Sequence, residues 1–368
     1  MNRTEAISWT LTVCAFLRLS QAKTLSELVA GALRCRRISL AEIGRNLLGG
    51  TSAKHKIKRT WRFIANPRIE VSDAMRGVVA GLVKRRRRKP LLVAFDWTDI
   101  RGYCTLMAAA VIRGRAVPLL WASYPKWELH KSQNSLEEGL LYLLRDMIPE
   151  SVKVILLADR AFGRTELARL CQDHLHFRYV IRIRPDVYVR GEQYTGRLLD
   201  LPVRRGVCRL LRDVAYRKQA PVRQHVVVRW KQGLPQDRDE CWFLMTDLER
   251  SPRSLSELYG QRMTVEELFR DDKNKRNGWS LRDTLITRPD RIDRLLLILA
   301  LAYILLVGIG LVARQRYREG AWSSTNKPRQ CSDFLVGLIM LERLNITPTQ
   351  AFAAIMSALA KTPGGNWG

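Results

Sequence analysis

Three acidic residues stand where their side chains could act on a phosphodiester. Asp96 follows the apolar run 91–95, Asp159 follows the apolar run 152–158, and Glu266 lies in a charged segment further along the chain. Two Asp and one Glu supply the hard oxygen ligands that Mg²⁺ prefers, while waters and phosphate oxygens complete its shell. Two such ions about 3.5–4 Å apart activate a nucleophile and neutralise a leaving oxygen. The residue types therefore predict a two-Mg²⁺ site, which Mn²⁺ could also occupy.

Other acidic residues compete for this role. An Asp at the end of a strand is, taken alone, more often a turn residue than a metal ligand. Asp99 is the alternative to Asp96, but it lies beyond the apolar run and is expected beyond the strand. The remaining candidates lie in helical charge clusters and are expected at the surface: Glu137, Glu138, Asp271 and Asp272.

The segment 259–273, YGQRMTVEELFRDDK, is predicted to be one helix that carries Glu266. Ser254 and Glu257 form the reciprocal capping pattern of a helix start, and Asn277-Gly278 supplies a stop. At about 100° per residue, one row of the helix holds Tyr259, Arg262, Glu266 and Lys273 within roughly 60° of one another. An apolar stripe lies beside that row, and Glu267 points away from it. The alternative is an amphipathic helix whose charges are merely solvated.

The net charge points to a polyanionic partner. Sixty-three Lys and Arg residues against 35 Asp and Glu residues give a formal charge of +28. Neutralising phosphates releases condensed counterions, so nucleic acid is the expected partner before a membrane surface. Seven cysteines without a C-x-x-C pair argue against a zinc site and a disulfide scaffold, and favour the cytoplasm. The N-terminus is too polar for a signal peptide.

The segment 295–313 is uncharged and long enough to cross a bilayer. Arginines flank both of its ends, so charge does not distinguish the two flanks. Gly308 and Gly310 are expected to leave its last third a poor helix. A helix buried between a sheet and another domain is the better interpretation, and no membrane partner is expected.

The succession of elements after residue 89 predicts an α/β fold. Three strands forming a meander, with a turn at 113–115, are followed by a helix, a strand, a helix and a strand. This order is that of a ribonuclease-H-like core with a mixed five-stranded sheet. In it the first and fourth strands are adjacent, so that Asp96 and Asp159 meet. Short strand-like runs at about 184–246 indicate a β insertion.

Three domains follow from this succession. Residues 1–88 are predicted to be a helical, basic, DNA-end-binding domain that ends at the basic run 84–89. Residues 89–320 form the catalytic domain, and residues 321–368 form a helical C-terminal region that could dimerise. In the first domain, Ile57, Trp61 and Ile64 are expected to form a narrow apolar seam on a groove-reading helix. Its cations are the predicted DNA contacts: Lys54, Lys56, Lys58, Arg59 and Arg62. A plain surface helix is the alternative.

These motifs resemble a known family. The spacing Tyr-x2-Arg-x3-Glu-x6-Lys resembles the signature of IS-four family transposases, bacterial DDE enzymes that excise DNA through hairpin ends. FDWTDI around Asp96, LADRAF around Asp159 and RMTVEELFRDDK around Glu266 look closest to the IS-ten branch. GRNL at 44–47 and KHKIKR at 54–59 also resemble that branch. The resemblance spans about residues 40–290.

The resemblance implies roles for individual residues. Asp96, Asp159 and Glu266 would hold the metal pair. DNA contacts would come from Tyr259, Arg262 and Lys273, with Arg160 and Trp242 in addition. Trp242 resembles a tryptophan that stacks on a flipped base, although it could instead be a buried strand residue. Met263 stands where some relatives carry a second stacking Trp.

The leading hypothesis is therefore a cytoplasmic, nucleoid-associated DNA transposase. It would cut the terminal inverted repeats through a hairpin and join them to target double-stranded DNA, working as a homodimer on two ends. A hydrolytic nuclease of the same fold, and a DNA-binding protein or decayed copy without activity, remain the alternatives.

Overall fold

The computed structural model describes residues 3–35, 37–84, 89–100, 102–217, 221–231, 241–274, 279–281, 284–324 and 331–362. The chain forms two compact units. The first unit comprises Met1–Arg87, Trp97–Pro149 and Glu266–Thr362, and the second comprises Arg88–Asp96, Glu150–Val265 and Pro363–Gly368. The three-domain division stays a prediction. The helix stop at Asn277-Gly278 and the middle of the basic run, 85–88, lie outside the described residues.

Twelve α-helices lie in the described residues. They are α1 Arg3–Val13, α2 Leu19–Leu33, α3 Leu40–Arg45, α4 Ala53–Ala65, α5 Val71–Val83, α6 Gln133–Met147, α7 Thr165–Arg169, α8 Pro252–Gly260, α9 Met263–Lys273, α10 Pro289–Arg316, α11 Asp333–Met340 and α12 Pro348–Lys361. A π-helical turn, Leu170–Leu175, continues α7. The described strands are β1 Leu91–Ile100, β2 Tyr103–Ile112, β3 Arg115–Pro125, β4 Val154–Ala158, β5 Arg178–Arg182, β6 Tyr188–Arg190, β7 Thr195–Arg197, β8 Cys208–Tyr216, β9 Val222–Arg229 and β10 Trp242–Thr246.

The second unit is built on a mixed sheet with the strand order β1-β4-β5-β10-β9-β8-β6-β7. β1, β4 and β5 are parallel neighbours, and β10 joins them antiparallel to β5. Every residue of β4 is buried, as expected for a central strand covered on both faces. The predicted adjacency of the first and fourth strands is confirmed, and so is the mixed α/β class. The strands after β5 fall in the segment predicted as a β insertion.

The first unit contains the β2–β3 hairpin, whose turn lies at Arg113-Gly114 as predicted. Gly114 adopts a φ of +76°, a left-handed conformation that glycine enters without steric cost. β1 continues to Ile100 and is longer than its apolar run. The expectation that Asp99 lies beyond the strand was therefore wrong: the antiparallel meander continues β1 past the residues that pair with β4.

The segment 259–273 is not one helix. α8 ends at Gly260 and α9 begins at Met263, with residues 261–265 held by bonds that reach back three residues, such as Val265 N to Arg262 O at 3.0 Å. The Thr264 hydroxyl also donates to Gln261 O at 2.7 Å and competes with regular helical bonding. The single helical row predicted for Tyr259, Arg262, Glu266 and Lys273 is thus wrong.

The start of α8 also differs from the prediction. Ser251, not Ser254, is the N-cap, and its hydroxyl accepts the Ser254 amide at 3.2 Å. Pro252 occupies the first helical turn, where its missing N–H is not needed. Glu257 pairs instead with Arg253 at 3.2 Å.

α10 is the apolar helix predicted between residues 295 and 313. By length and composition it could cross a membrane, but 94% of its most apolar window is buried. Within the first unit it packs against β3, α2, α11 and α12. The prediction of a buried core helix is confirmed.

The glycines of α10 do not weaken its last third, which stays helical to Arg316. They allow other backbones to approach instead. A Cβ on Gly308 would lie 2.2 Å from Ala351 O, and one on Gly310 would lie 1.9 Å from Asp333 O. Gly337 of α11 allows the same close approach from the opposite side, because a Cβ there would lie 2.0 Å from Leu306 O. The small residues therefore determine how closely α11 and α12 pack on α10.

Candidate active site

Asp96 and Asp159 follow the last paired residues of two adjacent parallel strands. Phe95 pairs in register with Ala158, so each Asp is the next residue at the carboxyl end of the β1–β4 ladder. Side chains at this edge of a parallel sheet are where open α/β folds place their ligands. Both aspartates are half-buried. The strand register thus brings these two predicted site residues to one sheet edge.

Each aspartate has a protein partner. The Arg262 guanidinium donates to Asp96 Oδ2 at 2.9 Å, and both side chains are largely shielded from solvent. Asp159 Oδ1 accepts the Ala161 amide at 2.8 Å and caps a short 3₁₀ turn, Arg160–Phe162. Burying the Asp96 carboxylate without a cation would be costly, so Arg262 holds its charge in place. The Tyr-x2-Arg spacing marked Arg262 in the sequence, but it did not reveal that Asp96 is the partner of Arg262.

Tyr259 and Trp242 form an aromatic cluster in the second unit. Their ring centroids lie 5.0 Å apart in an edge-on arrangement, and Lys231 Nζ lies 5.0 Å from the Trp242 centroid. Tyr259 is 2% exposed, and burial raises its pKa while the Arg262 and Arg182 guanidiniums oppose that rise. Trp242 is half-buried and keeps part of its ring accessible. Tyr259 therefore supports Arg262 and Trp242 from the core.

Glu266 lies in the first turn of α9, in the first unit, and is half-buried. Its neighbour Glu267 is occupied elsewhere, with Arg115 at 3.0 Å and Arg270 at 2.8 Å. At the other end of α9 the Lys273 ammonium donates to the Thr98 hydroxyl.

The end of β1 is anchored within the first unit. The Trp97 indole donates to Glu137 Oε1 at 2.8 Å, and Gln133 donates to the same oxygen at 3.0 Å. Asp99 forms an ion pair with Lys126. These contacts restrain the part of β1 that directly follows Asp96.

The described residues do not contain a group of three or more His, Cys, Asp or Glu side chains that could hold a metal ion. Of the predicted triad, the strand register aligns Asp96 with Asp159, and Glu266 stays a prediction. The carboxylates at the sheet edge are engaged by Arg262 and by the turn at Ala161. Their chemistry nonetheless fits a divalent cation, because both are oxygen donors at the end of a buried strand pair.

Three carboxyls that were expected at the surface are buried. Glu137, Asp271 and Asp272 are 0%, 9% and 7% exposed. Burial raises the pKa of Asp271 to about 6, against the Arg115 charge and the hydrogen bond from Tyr303 Oη at 3.0 Å. Burial, then the charge of Asp271, raises the pKa of Asp272 to about 8. The expectation was wrong because tertiary contacts decide burial: Tyr303 of α10 contacts Asp271, and Trp97 of β1 contacts Glu137 of α6.

Asp272→Asn is expected to stabilise the protein at pH 8 and to lose that advantage near pH 4. An Asp in the unfolded chain titrates near 3.8, whereas burial moves Asp272 to about 8 in the folded chain. Between these values the folded state holds a proton that the unfolded state has released, so wild-type stability falls as the pH rises. Urea unfolding at pH 4, 6 and 8 measures this effect. The free energy of unfolding of Asp272→Asn should exceed that of the wild type by an amount that grows with pH to more than about 1 kcal/mol.

The matched control is Asp99→Asn, because Asp99 is a solvent-accessible carboxylate paired with Lys126. Exposed ion pairs of this kind contribute about 0–1 kcal/mol to the free energy of unfolding. Removing the Asp99 charge should therefore not stabilise the protein at pH 8. A stability difference for Asp272→Asn that is the same at all three pH values would contradict the burial of an uncompensated carboxyl.

Among the predicted DNA-contacting cations, Arg262 is buried at 7% exposure, whereas Arg160 and most of the α4 cations lie on accessible surface. In the second unit Arg160 is exposed beside Asp159. In the first unit Lys54, Lys58 and Arg62 are exposed on α4, while Lys56 is half-buried. Arg59 is partly exposed but pairs with Glu27 at 2.5 Å. These positions suit phosphate contacts, with Arg59 the least available of them.

Two aspartates at the ends of adjacent parallel strands, in a mixed α/β chain of charge +28, are features typical of enzymes that act on a polyanion. The family model described as Transposase DDE domain matches residues 87–305. This is more than half of the chain, and the chain therefore belongs to the DDE transposase family. It is accordingly an enzyme of the polynucleotidyl transferase and endonuclease type whose substrate is DNA, and transposases of this kind generally use divalent metal ions. The curated proteins include no match to the chain.

Proposed function

We propose that the protein is the transposase of a bacterial insertion sequence, with Asp96, Asp159 and Glu266 as its catalytic carboxylates. The observation that carries the proposal is the register of β1 and β4, which sets Asp96 and Asp159 side by side at the strand ends. Glu266 joins them in the proposal because the Tyr-x2-Arg-x3-Glu-x6-Lys spacing around it resembles the signature of IS-four family transposases. The catalytic domain would have a ribonuclease-H-like fold.

The proposed site holds two Mg²⁺ ions, or Mn²⁺ in their place. Bound there, the cations would polarise the phosphate, help deprotonate the attacking water or 3′-hydroxyl and neutralise the leaving oxygen. Without metal, a buried carboxylate needs another cation beside it, and the Arg262 guanidinium neutralises Asp96 in this way. On binding, Arg262 would exchange Asp96 for a DNA phosphate, an anion that suits its planar fork equally well.

The proposed reaction begins with hydrolysis of one strand at the element's end. The freed 3′-hydroxyl then attacks the opposite strand and produces a hairpin, which is reopened before strand transfer into target DNA. Arg160 and Lys273 are proposed phosphate contacts: Arg160 is exposed and follows Asp159 in the chain, and the Lys273 ammonium donates to Thr98. Two ends require two active sites, so we propose a homodimer in the synaptic complex, acting in the cytoplasm.

An integration assay tests the function. Purified protein is incubated with Mg²⁺, a supercoiled plasmid and a labelled duplex ending in the terminal repeat that flanks the gene. Covalent transfer of label into plasmid is expected. Cleavage of the duplex without any joined product would support a hydrolytic nuclease instead, and binding without cleavage would support an inactive DNA-binding protein. Both outcomes would contradict the proposal.

Trp242→Ala is expected to allow the first nick but to reduce hairpin formation about tenfold or more. We propose that the accessible part of the Trp242 ring stacks on a base that leaves the duplex, an interaction that contributes about 1–3 kcal/mol. Denaturing gels that separate nicked from hairpin product provide the measurement. Trp242→Phe should restore much of the hairpin yield, because it keeps an aromatic face.

Normal hairpin yield in Trp242→Ala would assign Trp242 a structural role only. A parallel loss of nicking and hairpin formation would indicate a disturbed fold, since Trp242 also packs against Tyr259 at 5.0 Å. Thermal unfolding of each variant distinguishes that case.

A further inference from the structure

The exposed face of α4 includes a tryptophan. Trp61, expected in the apolar seam of this helix, is 42% exposed, whereas the buried side chains of α4 are Thr60, Phe63 and Ile64. The seam prediction was therefore wrong for Trp61. At 100° per residue Trp61 lies about 60° from Lys58 and 20° from Lys54, so the indole lies beside two exposed cations.

Three contacts within the first unit hold α4 in a fixed orientation. Gly44 of α3 allows a close approach, because a Cβ there would lie 2.6 Å from Ile57 Cα. Arg59 pairs with the buried Glu27 of α2 at 2.5 Å. Arg294 of α10 donates to Ile64 O at 2.9 Å and satisfies a carbonyl at the end of the helix. The outward face of α4 is thus rigidly presented.

That face has the charge of a surface for a polyanion. The sequence of α4, AKHKIKRTWRFIA, contains no acidic residue, and the outward positions next to Trp61 are all cationic or small: Lys54, Lys58, Arg62 and Ala65. An isolated exposed aromatic ring is unremarkable on a protein surface. An aromatic ring beside exposed cations on a helix without acidic residues can combine apolar contacts in a DNA groove with phosphate contacts.

We propose that Trp61 is a specificity-determining contact to duplex DNA. Lys54, Lys58 and Arg62 bind phosphates on either side of a groove, and the Trp61 indole enters that groove against base edges or sugars. The inference rests on the proposed function and assigns to Trp61 the part of end binding that does not depend on salt. The phosphate contacts position α4, and the indole distinguishes the terminal repeat from other sequences.

The experiment is a binding titration by fluorescence anisotropy with the full-length protein. Two labelled duplexes of equal length are used, one with the terminal repeat that flanks the gene and one with its scrambled sequence, at several salt concentrations. Trp61→Ala is expected to weaken binding of the repeat about tenfold at every salt concentration. Its affinity for the repeat should then be close to its affinity for the scrambled duplex. Lys58→Ala is expected to weaken both duplexes and to lower the salt slope by about 0.9.

Two controls isolate the indole. Trp127→Ala removes an even more exposed tryptophan, 78% exposed, from a 3₁₀ turn outside α4, and should leave both affinities unchanged. Trp61→Phe should retain most of the preference for the repeat. Since Trp61 is exposed, the thermal unfolding of Trp61→Ala should match that of the wild type.

Each outcome has a distinct meaning. Unchanged preference in Trp61→Ala, with wild-type protein selective for the repeat, overturns the inference and leaves the proposed function standing. A salt slope that changes in Trp61→Ala overturns the division of roles. A changed oligomeric state with unchanged DNA affinity would show that the α4 face binds a second copy of the chain. Wild-type protein without affinity for either duplex would overturn both proposals.

Discussion

Asp96→Asn is expected to lower the rate of transposon-end cleavage at least about 1000-fold while binding of the end persists. Asn keeps the size of the side chain but removes the negative charge that a divalent cation requires. Loss of several kcal/mol of transition-state stabilisation corresponds to this factor at 1.36 kcal/mol per tenfold. The measurement is single-turnover cleavage of a labelled duplex in Mg²⁺, with affinity determined separately by anisotropy.

Neighbouring carboxyls provide matched controls for the three proposed catalytic residues. Asp99→Asn changes the same strand three residues later, and Glu267→Gln changes the residue after Glu266. Both should retain cleavage within about tenfold, because Asp99 pairs with Lys126 and Glu267 with Arg115. Asp159→Asn and Glu266→Gln should match the loss seen in Asp96→Asn.

Substantial cleavage by any of the three catalytic variants would refute the assignment. A result in which Glu267→Gln is inactive and Glu266→Gln is active would transfer the role to Glu267. Asp96→Asn also removes the ion pair with Arg262, so thermal unfolding must accompany the assay. A variant that has lost both cleavage and its folded state does not test the chemistry. Asp159→Asn then decides, because Asp159 caps a turn through the Ala161 amide.

Gly310→Ala is expected to destabilise the protein by about 3 kcal/mol or more. In an ordinary helix this change would stabilise by up to about 1 kcal/mol, because Ala is the better helix former. Here the added Cβ would lie 1.9 Å from Asp333 O and 2.7 Å from its carbonyl carbon, atoms that cannot rotate away. α11 must then move off α10, and overpacking of this kind costs about 1–3 kcal/mol or more.

Thermal unfolding measures this effect, and we expect a fall in Tm of about 6 °C or more. Gly139→Ala is the matched control. Gly139 lies inside α6, and a Cβ there would meet no atom within 4 Å. It should show the opposite sign, with a small rise in Tm. A similar rise for Gly310→Ala would mean that α10 and α11 do not pack as closely as described.

Much of the fold could be predicted from periodicity. Apolar runs indicated β1 and β4, the strand pattern of residues 177–183 indicated β5, and the hairpin turn at Arg113-Gly114 followed from its glycine. The ends of β1 and α8 were harder to predict from the sequence. β1 extends past its apolar run because a neighbouring strand continues it, and α8 ends early because residues 261–265 bond three residues back.

The sequence by itself determined the residue types at the site and their place at strand ends. A buried strand ends where polarity begins, so hydropathy identified Asp96 and Asp159 as candidate site residues. The spacing around Glu266 that resembles a transposase signature was equally a property of the sequence. Residue type and spacing are local properties, so they can be read from the sequence without knowledge of the fold.

Only the tertiary structure decided which partners these residues have. It paired Asp96 with Arg262, 166 positions apart in the chain, and buried Asp272 on a helix face that looks polar in sequence. It also turned Trp61 outward among cations and made Gly310 a packing site. Each of these outcomes depends on which distant segment covers a given face, and the free energy of burial is determined by that segment rather than by the residue's own neighbours in sequence.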